Sequence, residues 1–95
     1  MDVLRTACSF LGHLEPETEN TQATEIADRL LAAFPGMLLY WYHYHHQTKQ
    51  PIDCQSREET LAGHFLYLLH QKTPDALAKK CVDVSLILYA EHEFN

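Results

Sequence analysis

The run from Met37 to Tyr44 limits the possible folds more than any other stretch of this sequence, because almost every residue in it is apolar or aromatic. It continues a segment whose apolar residues are spaced three and four apart, which predicts one face of a helix from about Thr21 to His46. That face carries Ile26, Ala27, Leu30, Leu31 and Phe34. A helix without a polar side must be buried all round. We therefore expect the run to be covered by a second chain or by further parts of a longer protein.

Pro35 and Gly36 interrupt this long helix. Proline removes one backbone hydrogen bond and clashes with the preceding turn. We predict a kink near Phe34 within one helix, and two separate helices are the alternative.

Three further helices are predicted, separated by polar connectors at about 13–20 and 47–56. The first begins at a capping Asp2 and ends at Gly12, and its apolar side carries Val3, Leu4, Ala7, Cys8 and Leu11. Ser56 and Glu59 fit a capping box for a helix from about Arg57 to His70.

Thr73 is the predicted cap of the last helix, with Pro74 at its first position. The course of this helix is marked by Leu77, Cys81, Val84 and Leu88. No strand alternation or internal repeat occurs in the sequence. The predicted fold class is all-α, with about four helices.

Composition narrows the class of protein. The 95 residues are 46% hydrophobic and carry a net charge of −6, without a basic stripe, so we do not expect a nucleic-acid partner. The three cysteines are an odd number without C-x-x-C spacing, which argues against a disulfide framework and a zinc ribbon. No signal-like start and no run of about 18 apolar residues is present, so we expect a cytoplasmic protein without a membrane span.

Two groups of potentially reactive side chains, the histidine run and the cysteines, are expected to have no chemical role. On a helix, only His43 and His46 of the histidine run could share a face, and no acidic or cysteine partner follows at ligand spacing, so we predict no metal site. The cysteines Cys8, Cys54 and Cys81 lack a local activating signature, and we expect them to be buried and inert. A third cluster, Glu91-His92-Glu93 with Asn95, is on the residues alone an exposed acidic helix end.

Five stretches together resemble the citrate synthase family, in the order of that family, and within it the 2-methylcitrate synthase branch. They are Met1-Asp-Val-Leu-Arg-Thr-Ala, Ile26-Ala-Asp-Arg-Leu-Leu, Met37-Leu-Leu-Tyr-Trp-Tyr-His-Tyr, Gly63-His-Phe-Leu-Tyr-Leu-Leu-His and Leu88-Tyr-Ala-Glu-His-Glu-Phe-Asn95. The resemblance implies that residues 1–95 are part of the large helical domain and that the chain is a fragment. It also implies that His92 binds oxaloacetate and that Asn95 lies at the substrate pocket. Tyr89 stands where many family members have another histidine.

The resemblance further implies the parent reaction, in which propionyl-CoA condenses with oxaloacetate to give 2-methylcitrate and CoA. The coenzyme A thioester is a substrate, and no cofactor is expected. The family's Gly-Pro-x-His-Gly-Gly and Gly-x-Gly-His-Arg motifs do not occur here, so no catalytic residue is assigned and the fragment alone is expected to be inactive. The family also implies a homodimer through the aromatic helix at 37–46. The alternative function is a stand-alone helical homodimerisation module without a small-molecule ligand.

Overall fold

The computed structural model describes residues 1–20, 22–46 and 51–91. These ranges contain four helices and no strand, which confirms the all-α prediction: α1 is Asp2–Leu14, α2 is Ala23–His46, α3 is Leu61–His70 and α4 is Ala76–Tyr89. The chain forms two compact units, Met1–Cys54 and Gln55–Asn95. Helix α1 packs on α2 in the first unit, and α3 packs on α4 in the second. None of the four helices is long and apolar enough to cross a membrane.

Helix α1 has the apolar side that its spacing predicts, since Val3, Leu4, Ala7, Cys8 and Leu11 are its half-buried residues. Its predicted ends are wrong. Met1 is the N-cap, and Asp2 lies in the first turn. Gly12 lies inside the helix, because its φ is not positive and it continues the regular backbone. The helix ends where Glu15 leaves helical geometry and donates its amide to the Leu11 carbonyl at 2.9 Å.

Helix α2 runs through Pro35 as one element, so the alternative of two separate helices is wrong. Pro35 itself is buried, with Leu39 one turn further on. The kink stays a prediction.

The apolar side of α2 is only partly covered. Ile26 and Leu30 are half-buried, whereas Ala27, Leu31 and Phe34 are exposed. In the aromatic stretch Leu39 and His43 are buried, but Trp41 is 47% exposed. Leu38, Tyr40, Tyr42 and Tyr44 are also exposed. The described residues therefore do not supply the all-round cover that the sequence requires for this helix.

Helix α3 begins later than predicted. Thr60 is its N-cap and accepts a hydrogen bond from the Gly63 amide at 3.0 Å, so the expected capping box of Ser56 and Glu59 is not formed. The helix ends at Gln71, whose φ of 52° places it in the left-handed region and directs its amide to the Tyr67 carbonyl at 2.7 Å. Its buried residues are Ala62, Gly63, Leu66 and Leu68.

The first polar connector begins later than predicted, and the second ends later than predicted and lies partly outside the described residues. His13 and Leu14 belong to α1, which leaves 15–20 as the described part of the first connector. In the second, residues 47–50 lie outside the described ranges, and 51–60 form no helix.

Candidate functional site

Helix α4 leads directly to the predicted substrate-binding residues. It starts at Ala76, because the N-cap Asp75 accepts a hydrogen bond from the Ala78 amide at 2.8 Å, so the prediction of Thr73 as the cap is wrong. A side-chain oxygen at the N-cap satisfies an amide that has no partner within the helix. The helix ends at Tyr89, and the Ala90 amide still bonds to the Ile87 carbonyl at 3.2 Å.

His92 and Asn95, the residues that the sequence assigns to oxaloacetate, lie outside the described residues, as does Glu93. Their contacts stay predictions. Tyr89, three positions before His92, is 81% exposed, and Glu91 is exposed as well. The end of α4 that precedes these residues in the sequence is therefore exposed in the described chain.

The side of α4 that faces α3 differs from the one that the apolar pattern suggests. Its half-buried residues are Ala78, Lys79 and Val82. The stripe of Leu77, Cys81, Val84 and Leu88 is exposed, as is Ile87, and no residue of the helix is buried. Within the described residues, α4 is thus held without a buried apolar anchor of its own.

Polar contacts join the segment before α3 to both helices of the second unit. Ser56 Oγ lies 2.8 Å from Nδ1 of His64 on α3, and it accepts the Glu58 amide at 3.3 Å. The Glu58 carboxylate in turn accepts a hydrogen bond from Lys79 Nζ on α4 at 3.0 Å. We call Ser56, Glu58, His64 and Lys79 the polar bridge.

Gly63 has no side chain, and this leaves space for the side chain of Glu58. A Cβ at position 63 would lie 2.7 Å from Glu58 Oε2, 3.2 Å from Glu58 Cβ and 3.1 Å from Thr60 Oγ1. The carboxylate therefore lies against the first turn of α3, where the amino end of a helix favours negative charge. Helix end and lysine together stabilise a carboxylate that is only 14% exposed.

An open groove of about 470 Å³ adjoins the polar bridge. Arg57, Lys79 and Lys80 line it together with Glu58, Glu59 and Asp83, so its cations and carboxylates are equal in number. Balanced charge of this kind gives no preference for a phosphate or another anion.

The histidine run of α2 makes ring contacts with its own helix. Trp41 and His45 have ring centroids 4.0 Å apart, and Tyr42 and His46 stack at 4.7 Å. His46 Nδ1 also lies 3.0 Å from the Tyr42 carbonyl and donates to it. His43 is 2% exposed. Across the described ranges, no three His, Cys, Asp or Glu side chains are grouped to hold a metal ion, and the prediction of no metal site stays a prediction.

The three cysteines are free, and they differ in environment: Cys8 and Cys54 are half-buried, while Cys81 is exposed. The prediction of a buried cysteine is therefore wrong for Cys81. Cys54 Sγ lies 3.9 Å from the Gly36 carbonyl oxygen and 3.9 Å from that of Ile52. Burial and then the nearby negative charge of Asp53 raise the pKa of the Cys54 thiol. A raised pKa lowers the thiolate fraction, which is the opposite of nucleophile activation.

Sequence reasoning missed the polar bridge. Glu58 and Lys79 are 21 positions apart, and no local spacing rule connects them. His64 was noted only as part of a family-like segment, and Ser56 only as a helix cap. The short distance between them arises because α3 begins at Leu61 and leaves 56–60 free to lie beside its first turn.

Comparison with known proteins gives matches along the entire chain. Residues 1–95 match the family described as citrate synthase, C-terminal domain. The 2-methylcitrate synthase of Shewanella oneidensis is 55% identical over 95 residues, which are 100% of this chain and 25% of that enzyme. A citrate synthase-related protein of Dictyostelium discoideum is 35% identical over 109 residues, covering 97% of this chain and 26% of that protein. The citrate synthase of Heyndrickxia coagulans is 34% identical over 96 residues, covering 98% of this chain and 25% of that enzyme. The chain spans about a quarter of the length of these relatives.

Proposed function

Because this chain belongs to the citrate synthase family, we propose that it is a segment of a 2-methylcitrate synthase, which condenses propionyl-CoA with oxaloacetate. The observation that carries the proposal is the 55% identity, across all 95 residues, to an enzyme named for that product. In the proposed reaction the α-carbon of propionyl-CoA loses a proton and attacks the keto carbon of oxaloacetate. Hydrolysis of the thioester then releases 2-methylcitrate and CoA.

The contribution proposed for this segment is to bind oxaloacetate. His92 corresponds to the family histidine that holds this substrate, and an imidazole N–H is a suitable donor to its carboxylate or keto oxygen. Asn95 is proposed to lie at the same pocket. The exposure of Tyr89 at the end of α4 supports this role, because the helix end next to His92 in the sequence is open to solvent in the described chain.

The second proposed contribution is a homodimer contact through the aromatic part of α2, at 37–46. Its support is the exposure of Leu38 and four aromatic side chains in the described chain. A twofold contact would cover the same residues on both subunits. The 95 residues alone are proposed to be inactive, because the two downstream histidine motifs of the family are not among them.

Segment exchange tests the proposal. The matching quarter of the Shewanella oneidensis enzyme is replaced by these 95 residues, and CoA release is measured with oxaloacetate and propionyl-CoA. We expect the hybrid to be active, and His92→Ala in the hybrid to raise KM for oxaloacetate and lower kcat. A hybrid that assembles normally yet releases no CoA would contradict the proposal. It would favour the alternative of a dimerisation module.

The acyl preference has to be measured on the complete enzyme, because the residues that select the acyl group lie mostly outside this segment. We expect a higher kcat/KM for propionyl-CoA than for acetyl-CoA. The reverse order would assign the protein to the citrate synthases that prefer acetyl-CoA. The 95-residue polypeptide, assayed in parallel, is expected to release no thiol above the blank without protein.

A further inference from the structure

Helix α4 carries no buried residue within the described chain, a property that it shares with α1. Unlike the half-buried apolar side of α1, the most apolar stripe of α4 is exposed. It packs on α3. Its half-buried apolar residues, Ala78 and Val82, are small or medium-sized. Such packing restricts sliding and rotation of a helix weakly, because few side chains interlock.

The polar bridge supplies a directional contact where this packing is weak. Lys79 lies on the half-buried side of α4, and its Nζ donates to Glu58 at 3.0 Å. Glu58 cannot move freely, since its backbone amide bonds to Ser56 and its side chain lies against Gly63. Ser56 is in turn held by His64, whose ring belongs to α3. The lysine is therefore bonded to a carboxylate whose position is set by α3.

We propose that Ser56, Glu58, His64 and Lys79 are positioning residues for the oxaloacetate site, because they fix α4 on α3 and so fix where the residues after Tyr89 begin. This inference rests on the proposed function. A helix transmits a shift at one end to the other, and α4 has only one residue between its end and Glu91. The four residues are not proposed to touch substrate.

The hydrogen bond between Ser56 and His64 can form whether or not Nδ1 carries a proton. The Ser56 hydroxyl donates to Nδ1 of His64 when that nitrogen carries no proton, and accepts from it when it does. In either case the serine oxygen still accepts the Glu58 amide. An asparagine at position 64 places an amide group near the same point and keeps a bond to Ser56, whereas alanine removes it.

The test uses the active segment-exchange enzyme and compares Lys79→Met with Lys80→Met. Methionine keeps the length and apolar stem of lysine and removes the ammonium group. Lys80 is the matched control, because it is the adjacent, exposed lysine on the same helix. We expect Lys79→Met to raise KM for oxaloacetate about threefold to fivefold, in line with the loss of one partly exposed ion pair. KM for propionyl-CoA and the subunit assembly should not change.

Further variants separate positioning from simple stabilisation. Lys79→Arg should restore most of the oxaloacetate affinity, His64→Asn should stay near normal, and His64→Ala should resemble Lys79→Met. Glu58→Gln combined with Lys79→Met should add little to either change alone, because both remove the same contact. Hydrogen exchange of the amides at 86–91 should be faster in Lys79→Met than in Lys80→Met.

The inference is overturned if Lys79→Met and Lys80→Met have the same KM for oxaloacetate. It is also overturned if Lys79→Met raises both KM values equally together with a loss of thermal stability, which would indicate a purely structural role. An exchange enzyme that is inactive before any substitution contradicts the proposed function instead, so the two failures are distinguishable.

Discussion

At the scale of single residues, Cys54 shows how a local environment decides reactivity. Its thiol lies against two carbonyl oxygens, and burial together with the charge of Asp53 raises its pKa. Cys81, on the exposed side of α4, has neither contact. Neither cysteine has an activating signature in the neighbouring sequence, so only their surroundings in the structure distinguish them.

We expect iodoacetamide to label Cys54 more slowly than Cys81 at pH 8, because less Cys54 is thiolate and its sulfur is half-buried. The Cys54 rate should keep rising at pH values above the ordinary thiol pKa of about 8.5. Peptide mass spectrometry after timed quenching measures both rates in one sample. Preferential early labelling of Cys54 would show that the thiol is not shielded in this way.

Gly63 and Gly12 form a matched pair of helical glycines with opposite surroundings. A Cβ at Gly63 would meet Glu58 and Thr60 at 2.7–3.2 Å, whereas nothing lies within 4 Å of one at Gly12. We expect Gly63→Ala to lower the free energy of unfolding by about 1 kcal/mol or more, because Glu58 must leave Lys79. Gly12→Ala should raise it by roughly 0.5–1 kcal/mol, since alanine favours a helix interior. Urea unfolding of both variants measures the two changes, and equal effects would contradict the close contact at Gly63.

At the scale of elements, the interiors of the helices are easier to predict than their ends. The predicted caps are Ser56 before α3 and Thr73 before α4, and in each case another residue of a capping type, Thr60 or Asp75, follows closely. Each satisfies the local pattern, and the structure uses the later one both times. At α3 the earlier candidate is engaged elsewhere, because Ser56 contacts His64.

The two candidates before α4 make a direct test of the observed start. We expect Asp75→Ala to cost about 1 kcal/mol, because the Ala78 amide loses its acceptor. Thr73→Ala should change stability by less than roughly 0.5 kcal/mol, as is usual for an exposed position outside the helix. The same urea measurement applies to both variants. A larger loss of stability for Thr73→Ala than for Asp75→Ala would indicate that the helix is capped by the earlier residue.

At the scale of the whole molecule, exposed apolar surface is the dominant feature. Trp41 and its neighbours on α2 are exposed in the first unit, and the stripe from Leu77 to Leu88 is exposed in the second. Surface of this kind is normally covered by another chain or by other parts of the same protein. It agrees with a chain that spans about a quarter of its relatives.

We predict that the 95-residue chain self-associates through α2. Burying a large aromatic side chain contributes about 1.5–3 kcal/mol, so two or three per subunit would offset much of the cost of association. Trp41→Asp should shift the chain to monomer or unfold it, because an unpaired carboxylate would be buried. Phe10→Asp, at an exposed aromatic on α1, is the control and should leave association unchanged. Sedimentation equilibrium checks this, and a folded monomer independent of concentration for the unmodified chain would contradict it.

The all-α class, the number of helices and the family could all be predicted from the sequence. Helical periodicity and family-like segments each depend on residues that are close together in the chain. The apolar side of α1 was predictable for the same reason. Which cap starts a helix, which side of α4 is covered and where Lys79 finds its partner were not, since they depend on contacts between residues far apart in sequence. The continuity of α2 through Pro35 belongs with these, because the packing that buries the proline involves residues beyond its local sequence.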